Sequence, residues 1–264
     1  MAAAILMMNM HGAVMASDKD LTVFRYSEKV PFAIMVDPTS HLQWEDTILV
    51  FQSRMSIDSK SSFKHCVNVF AEYLTDVFNN KDQGVREYEC DKKVICVGFD
   101  STAMFPQVAI LTMLSNGNAG IVMHADICEI SPENPVFHLY LGDCPNIRIL
   151  FGGMSDEIKD ELVQLCIKEL GAVLGSHEEA VHLISENYDD FFDSFDRIQN
   201  DPQVTNAISD FTIKDMVAMA ENLVDTESLQ NTGSDGNLPS QTCEIGIVTM
   251  AEGFKWIKHS LYGA

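Results

Sequence analysis

Ala2-Ala3-Ala4-Ile5-Leu6-Met7-Met8-Asn9-Met10-His11-Gly12-Ala13-Val14-Met15-Ala16-Ser17-Asp18 opens the chain. Two apolar runs, Ala2–Met8 and Ala13–Ala16, flank a short break at Asn9–Gly12. That pattern predicts a β-hairpin, with Gly12 available for a positive φ in the turn. Both arms are apolar on both faces, as strands are when helices or a second sheet cover each side. The hairpin is therefore expected at the centre of a sheet, with its first arm tied in from the start of the chain.

The remaining 246 residues divide into blocks. Leu21–Arg25 and Pro31–Val36 predict two short strands, the second ending at the turn Asp37-Pro38-Thr39-Ser40. Trp44–Met55 and Ser59–Asn79 predict helices. In the latter, Phe63, Cys66, Val67, Phe70, Tyr73, Leu74, Val77 and Phe78 recur at three- and four-residue steps, and Ser61 or Ser62 can cap the start. Asn79–Gly84 is expected to end it. Lys93–Phe99, Gln107–Leu114, Gly120–Ile130, Val136–Leu141 and Ile147–Phe151 then read as strands spaced for an antiparallel meander. Helices are expected at Asp156–Leu174, capped by Ser155 and stopped by Gly175, at His177–Asn200, and at Thr212–Leu229. Residues 230–242 have the composition of a flexible loop, before a last hairpin at Glu244–Met250 and Phe254–Ile257. The order of strands, helices, strands, helices, strands predicts an α+β domain over residues 1–264, with two sheets face to face and helices outside.

Composition narrows the function classes. Hydrophobic content of 46% and charged content of 21% are those of a globular protein, but the net charge is −22. That charge argues against nucleic acid and against anionic membrane surfaces, and it favours basic or neutral partners. Residues 1–16 lack a basic leader region, and no apolar run reaches the ~18 residues of a membrane span. The seven cysteines are scattered without a C-x-x-C, which suits reduced thiols and a cytoplasmic location. No cofactor is implied. His124, Asp126 and Cys128 alternate on one strand face as a metal edge lacking a fourth ligand, so no metal site is expected.

The opening strand, the short turn and Gly12-Ala13-Val14-Met15-Ala16-Ser17-Asp18 resemble the start of proteasome β-subunits and their bacterial relatives, which are N-terminal-nucleophile (Ntn) hydrolases. Phe32–Val36 with Trp44-Glu45-Asp46-Thr47-Ile48 is similar to a bacterial proteasome-like branch. So are Val97-Gly98-Phe99 with Phe105-Pro106, and Ala251–Lys258. The resemblance implies a four-layer αββα sandwich and self-association into rings or spirals, here as a homo-oligomer.

It also implies a site, and each part can be sought. The family's nucleophile is a first-residue Thr; the matching position here is Ala2 or Ala3, and neither has a nucleophile. Asp18 matches the acid that orients the family's catalytic Lys. For that Lys the candidates are Arg25, on the strand, and Lys29, in the loop; an Arg cannot lend or accept a proton near neutral pH. The family's oxyanion donor is a Gly N–H after the strand matching Phe32–Val36. Here that turn is Asp37-Pro38, and proline has no N–H. An offset of one residue brings Asp37 or Thr39 there instead.

Three readings follow. The first is a proteasome-like fold without hydrolysis, acting in assembly or in binding a protein or peptide. The second is a threonine-type peptidase or amidohydrolase carrying a nucleophile-to-Ala substitution. The third is a ligand-binding module that uses the cleft.

Overall fold

The computed structural model describes residues 3–19, 22–28, 30–54, 61–90, 92–99, 105–115, 121–142, 156–186, 207–231 and 243–259. The chain forms two compact units, Met1–Cys144 with Ile208–Ala264, and Pro145–Ala207.

The larger unit is α+β. Its strands are β1 (Ala3–Asn9), β2 (Gly12–Ser17), β3 (Val23–Arg25), β4 (Phe32–Val36), β5 (Val94–Phe99), β6 (Pro106–Ser115), β7 (Ile121–Glu129), β8 (Val136–Gly142), β9 (Glu244–Thr249) and β10 (Gly253–Lys258). They pair antiparallel into two five-stranded sheets, ordered β10-β9-β2-β1-β8 and β3-β4-β5-β6-β7. Every residue of β1 and β2 is buried, as the apolar arms demand. Gly12 takes φ +150° at the turn, where an added Cβ would sit 2.6 Å from the Val248 carbonyl oxygen.

Strand alternation explains how both faces are filled. Ala4, Leu6, Met8, Ala13 and Met15 share one core with Val23, Ala33, Met35, Ile95 and Val97, so the two sheets lie face to face. The opposite side chains of the second sheet, among them Phe32, Ile34, Val36, Val94 and Cys96, form another core with helices α1 (Trp44–Arg54) and α2 (Phe63–Asn79). Helix α2 buries Phe63, Cys66, Val67, Phe70, Ala71, Tyr73, Leu74 and Phe78. Full burial of each large apolar side chain contributes about 2 kcal/mol. Ser62 caps this helix by accepting from the His65 N–H. On the outer face of the first sheet lies α6 (Ile213–Asn231), packed on β1 and β2 with Met216, Ala220 and Val224 fully buried.

Three local expectations change. A short helix, α3 (Gln83–Glu89), follows α2 where only a turn was read. The meander stops at β7: β8 leaves its sequence neighbour and pairs with β1 in the other sheet. Residues 230 and 231 close α6 and do not open the loop. Ile147–Phe151, Ser155, 187–200 and 232–242 lie outside the described residues.

In the smaller unit, α4 (Asp156–Leu174) and α5 (His177–Glu186) form a helical hairpin. Gly175, at φ +69°, ends α4. Ser176 caps α5 by accepting from the Glu179 N–H. A Cβ at Gly171 would make ordinary contact with the start of α5, 3.5 Å from the His177 Cα. No described helix is long and apolar enough to cross a membrane.

Candidate functional site

The start of β1, the end of β2 and the turn after β4 meet at one edge of the larger unit. Asp18 holds both backbone groups of Ala3. Its Oδ1 accepts from the Ala3 N–H at 2.7 Å, and its own N–H donates to the Ala3 carbonyl at 3.1 Å. The Ser17 hydroxyl, fully buried, donates to the same carbonyl at 3.3 Å and accepts from the Lys19 N–H. The Ser17 hydroxyl thus ties the end of β2 to the start of β1. Asp18 Oδ2 lies 3.4 Å from the Ser228 hydroxyl on α6.

Burial raises the Asp18 carboxyl above its ordinary value near 3.8; the Ala3 N–H and the Ser228 hydroxyl oppose that rise. A raised folded pKa means that the folded state holds the proton more tightly than the unfolded chain does. Ionised Asp18 therefore disfavours folding above the raised value, and this penalty fades as pH falls towards 3.8. Asp18→Asn keeps an acceptor for Ala3 without the charge. It should raise the thermal midpoint slightly at pH 7, with the difference from wild type closing towards pH 4. Melting curves of both proteins across that range check it; a lower midpoint at pH 7 would contradict it.

Lys19, next in the chain, sends its ammonium across to the Pro38 carbonyl. The Lys19 carbonyl accepts from the Thr22 hydroxyl at 2.9 Å, and the Thr22 carbonyl accepts from the Val36 N–H at 2.8 Å. The Thr22 N–H donates to Glu244 Oε2 at 3.3 Å. Glu244 is fully buried at the start of β9, and its Oε1 lies 2.9 Å from His259 Nδ1.

The backbone N–H groups of the turn after β4 all have partners within the protein. Pro38, buried there, has no N–H. The Asp37 N–H donates to the Lys93 carbonyl at 3.1 Å. The Thr39 N–H donates to Asp37 Oδ1 at 2.8 Å, and the Ser40 N–H donates to the Asp37 carbonyl at 3.0 Å. The next two donors are occupied as well: His41 N–H by Glu89 Oε1 at 2.8 Å, Leu42 N–H by the Ser40 hydroxyl oxygen at 3.3 Å. Ser40 itself donates to Glu89 Oε2 and accepts from Trp44 Nε1, both at 2.7 Å. Glu89, only 2% exposed, thereby joins α3 to the turn. Beside this turn is a cavity of about 360 Å³ lined by Lys19, Thr22, Asp37, Ser40, Trp44 and Asp46, among others.

Of the residues singled out from the sequence, Ala3, Asp18 and Pro38 come to this edge. Arg25 does not. It ends β3 opposite Ala33, makes a 3.7 Å ion pair with Glu28, and places its guanidinium 5.7 Å from the Phe254 ring centroid. Ala2 and Lys29 lie outside the described residues. Lys19 was missed, because Lys19-Asp20 reads as a loop start and its partner at Pro38 is remote in sequence. Glu244 and Ser228 carried no local signal. His124 and Asp126 form an exposed pair at 3.1 Å, and no three His, Cys, Asp or Glu side chains gather for a metal among the described residues.

No protein-family model and no curated protein sequence matches the chain. Among solved structures it is similar to Anbu (ancestral beta-subunit) from Yersinia bercovieri, with TM-score 0.48 and 9% identity over 98% of this chain and 88% of that one. It is also similar to a selenomethionine-labelled Anbu (Gly-1) mutant from Hyphomicrobium sp. strain MC1, with TM-score 0.32 and 12% identity over 63% of this chain and 74% of that one.

Proposed function

We propose that this chain is a proteasome-like Ntn-hydrolase-fold protein that does not hydrolyse and acts by binding, within a homo-oligomer. The fold part of this reading draws support from the stacking in the larger unit of helices, sheet, sheet and helix, with the apolar hairpin at the centre of one sheet. One observation carries the loss of chemistry: the turn from Asp37 to Ser40 has one residue without an N–H, and its other three N–H groups are already bonded within the protein. An oxyanion hole needs preorganised donors aimed at empty space, and losing one such donor costs about 3 kcal/mol of barrier. The charge of Asp37 would further oppose an oxyanion beside it. Ala3, in turn, offers only a methyl group. The cavity of about 360 Å³ next to this turn is the place for a bound peptide or small ligand.

The alternative, an enzyme whose nucleophile has been replaced by Ala, makes the opposite prediction for a restored hydroxyl. Ala2→Thr and Ala3→Thr, each made so that the new Thr is the first residue, should cleave no member of a panel of fluorogenic peptide amides above the buffer rate. Hydrolysis by either protein that disappears on adding Asp18→Asn would overturn the non-catalytic reading.

A further inference from the structure

Among the described residues strand β7 ends its sheet, so one side of its backbone pairs with β6 and the other faces outward. The outward groups alternate along the strand. The Ile121 N–H donates to Asn79 Oδ1 at 2.9 Å, and the Ile121 carbonyl accepts from Asn79 Nδ2 at 3.0 Å. The Met123 N–H donates to the Thr75 hydroxyl oxygen at 3.0 Å. Odd-numbered residues therefore face outward. The register with β6 runs without a bulge to Glu129, so Ala125, Ile127 and Glu129 face outward too.

Helix α2 clamps only the first part of this edge. Thr75 and Asn79 are one helical turn apart, and Ile121 and Met123 are one strand repeat apart; both steps are about 6 Å. The next turn back along α2 presents Ala71, whose methyl group cannot bond a backbone. An open groove of about 610 Å³ runs along this side, from Thr75, Asp76, Val122 and Met123 to Asn68, Ala71 and Glu72 on α2 and His124 and Ala125 on the strand. Four exposed carboxylates, Glu72, Asp76, Asp126 and Glu129, border the groove and the edge, among neutral side chains such as Asn68, Val122 and Ile127, with the His124 ring 3.1 Å from Asp126.

We infer that this edge is a docking site for an extended basic segment of a partner protein, which adds as a further strand beside Ala125–Glu129. Three outward N–H and three outward C=O groups supply sequence-independent pairing, and the carboxylates select lysine and arginine. The same carboxylates blunt the edge against a second copy of this chain. A twin strand would bring Asp126 and Glu129 towards their own counterparts, on a protein of net charge −22.

The test uses a fluorescein-labelled nonapeptide of alternating lysine and valine, read by fluorescence anisotropy at low salt. Saturable binding is expected. The same peptide with N-methyl groups on the amides of its pairing edge keeps every charge, and it should bind more weakly by roughly tenfold or more, since each lost net hydrogen bond is worth about fivefold and more than one is lost. Ile127→Pro should weaken the unmodified peptide similarly while leaving the melting midpoint within about 2 °C, because that N–H lies outside the β6 ladder and proline is tolerated on an edge. Glu72→Lys with Asp126→Lys should also weaken it. Equal affinity for the methylated peptide, an unchanged affinity in Ile127→Pro, or no saturable binding would overturn the assignment. So would a wild-type dimer in analytical ultracentrifugation that Ile127→Pro dissociates, which would make the occupant a second copy.

Discussion

Phe70→Ala should destabilise the protein by about 4 kcal/mol, the cost of truncating a fully buried aromatic in a core that cannot collapse around the gap. Phe70 has no exposed surface. Its ring lies 4.8 Å from that of Phe51 at 62°, and 6.1 Å from that of Tyr26 at 80°. Both are edge-on arrangements, worth about 1 kcal/mol each beyond area burial. The three rings come from α2, from α1 and from the connection after β3. Tyr26 is held from a second side as well, since its hydroxyl donates to the Cys66 carbonyl on α2 at 2.8 Å. Backbone and rings on three segments therefore fix the walls of the space that Phe70 leaves. A drop in melting midpoint of roughly 10 °C is expected. Leu49→Ala, at an α1 position that is 55% exposed, should change stability by less than about 0.5 kcal/mol. Equal melting curves for the two variants would show that α2 is not docked through this ring.

The same helix shows why so much of the fold was legible. Its apolar residues repeat at three and four, and its capping serine precedes them, so pattern and packing agree at every turn. The first hairpin was legible for a similar reason: seven residues of β1 and six of β2 are all buried, and no polar residue disturbs the run until Asn9 and Ser17. What escaped is non-local. Val136–Gly142 looks like the next strand of a meander, yet its partner is β1, at the start of the chain and remote in sequence. Nothing in the strand's own residues states which sheet it joins. Helix α3 escaped because Gly84 and the preceding Asp82 read as a turn; what holds it is the buried carboxylate of Glu89 bonded to Ser40 and His41, residues of another segment.

The candidate site divides along the same line. The absence of a hydroxyl at Ala3 and of an N–H at Pro38 are facts of covalent structure, readable from residue type alone. The engagement of the Asp37 and Thr39 N–H groups is not, because the first bonds to Lys93 on the strand entry opposite. The sequence left open an offset by which either residue could serve an oxyanion. The bonds each makes argue against both, which is why the turn, more than the missing nucleophile, supports a non-catalytic reading. A missing hydroxyl can be restored by one substitution. A turn whose donors are already engaged by Lys93 and Asp37 cannot.

Asn9→Ala should cost about 3 kcal/mol, and Asn9→Asp at least as much at neutral pH. Asn9 ends β1 with no exposed surface, and its amide is used at both ends. Nδ2 donates to the Ile208 carbonyl at 3.0 Å and to the Phe211 carbonyl at 2.8 Å, while Oδ1 accepts from the His11 N–H at 2.9 Å. One side chain thus closes the Met10-His11 turn and pins the residues just before α6 to the central hairpin. Alanine would leave two carbonyls and an N–H without this partner, each a loss of about 1 kcal/mol or more. Aspartate has the same shape, but it would turn an anionic oxygen towards two carbonyl oxygens in a buried position, which repel it. Lowering the pH should therefore recover part of the stability lost in Asn9→Asp, as the protonated carboxyl regains one donor, and recover none of that lost in Asn9→Ala. Hydrogen exchange should show where the loss falls: protection of α6 should drop more than that of α2, because α6 is anchored here and also carries Ser228 to the Asp18 carboxylate. Matching losses in the two helices would mean that Asn9 supports the whole larger unit rather than the docking of α6.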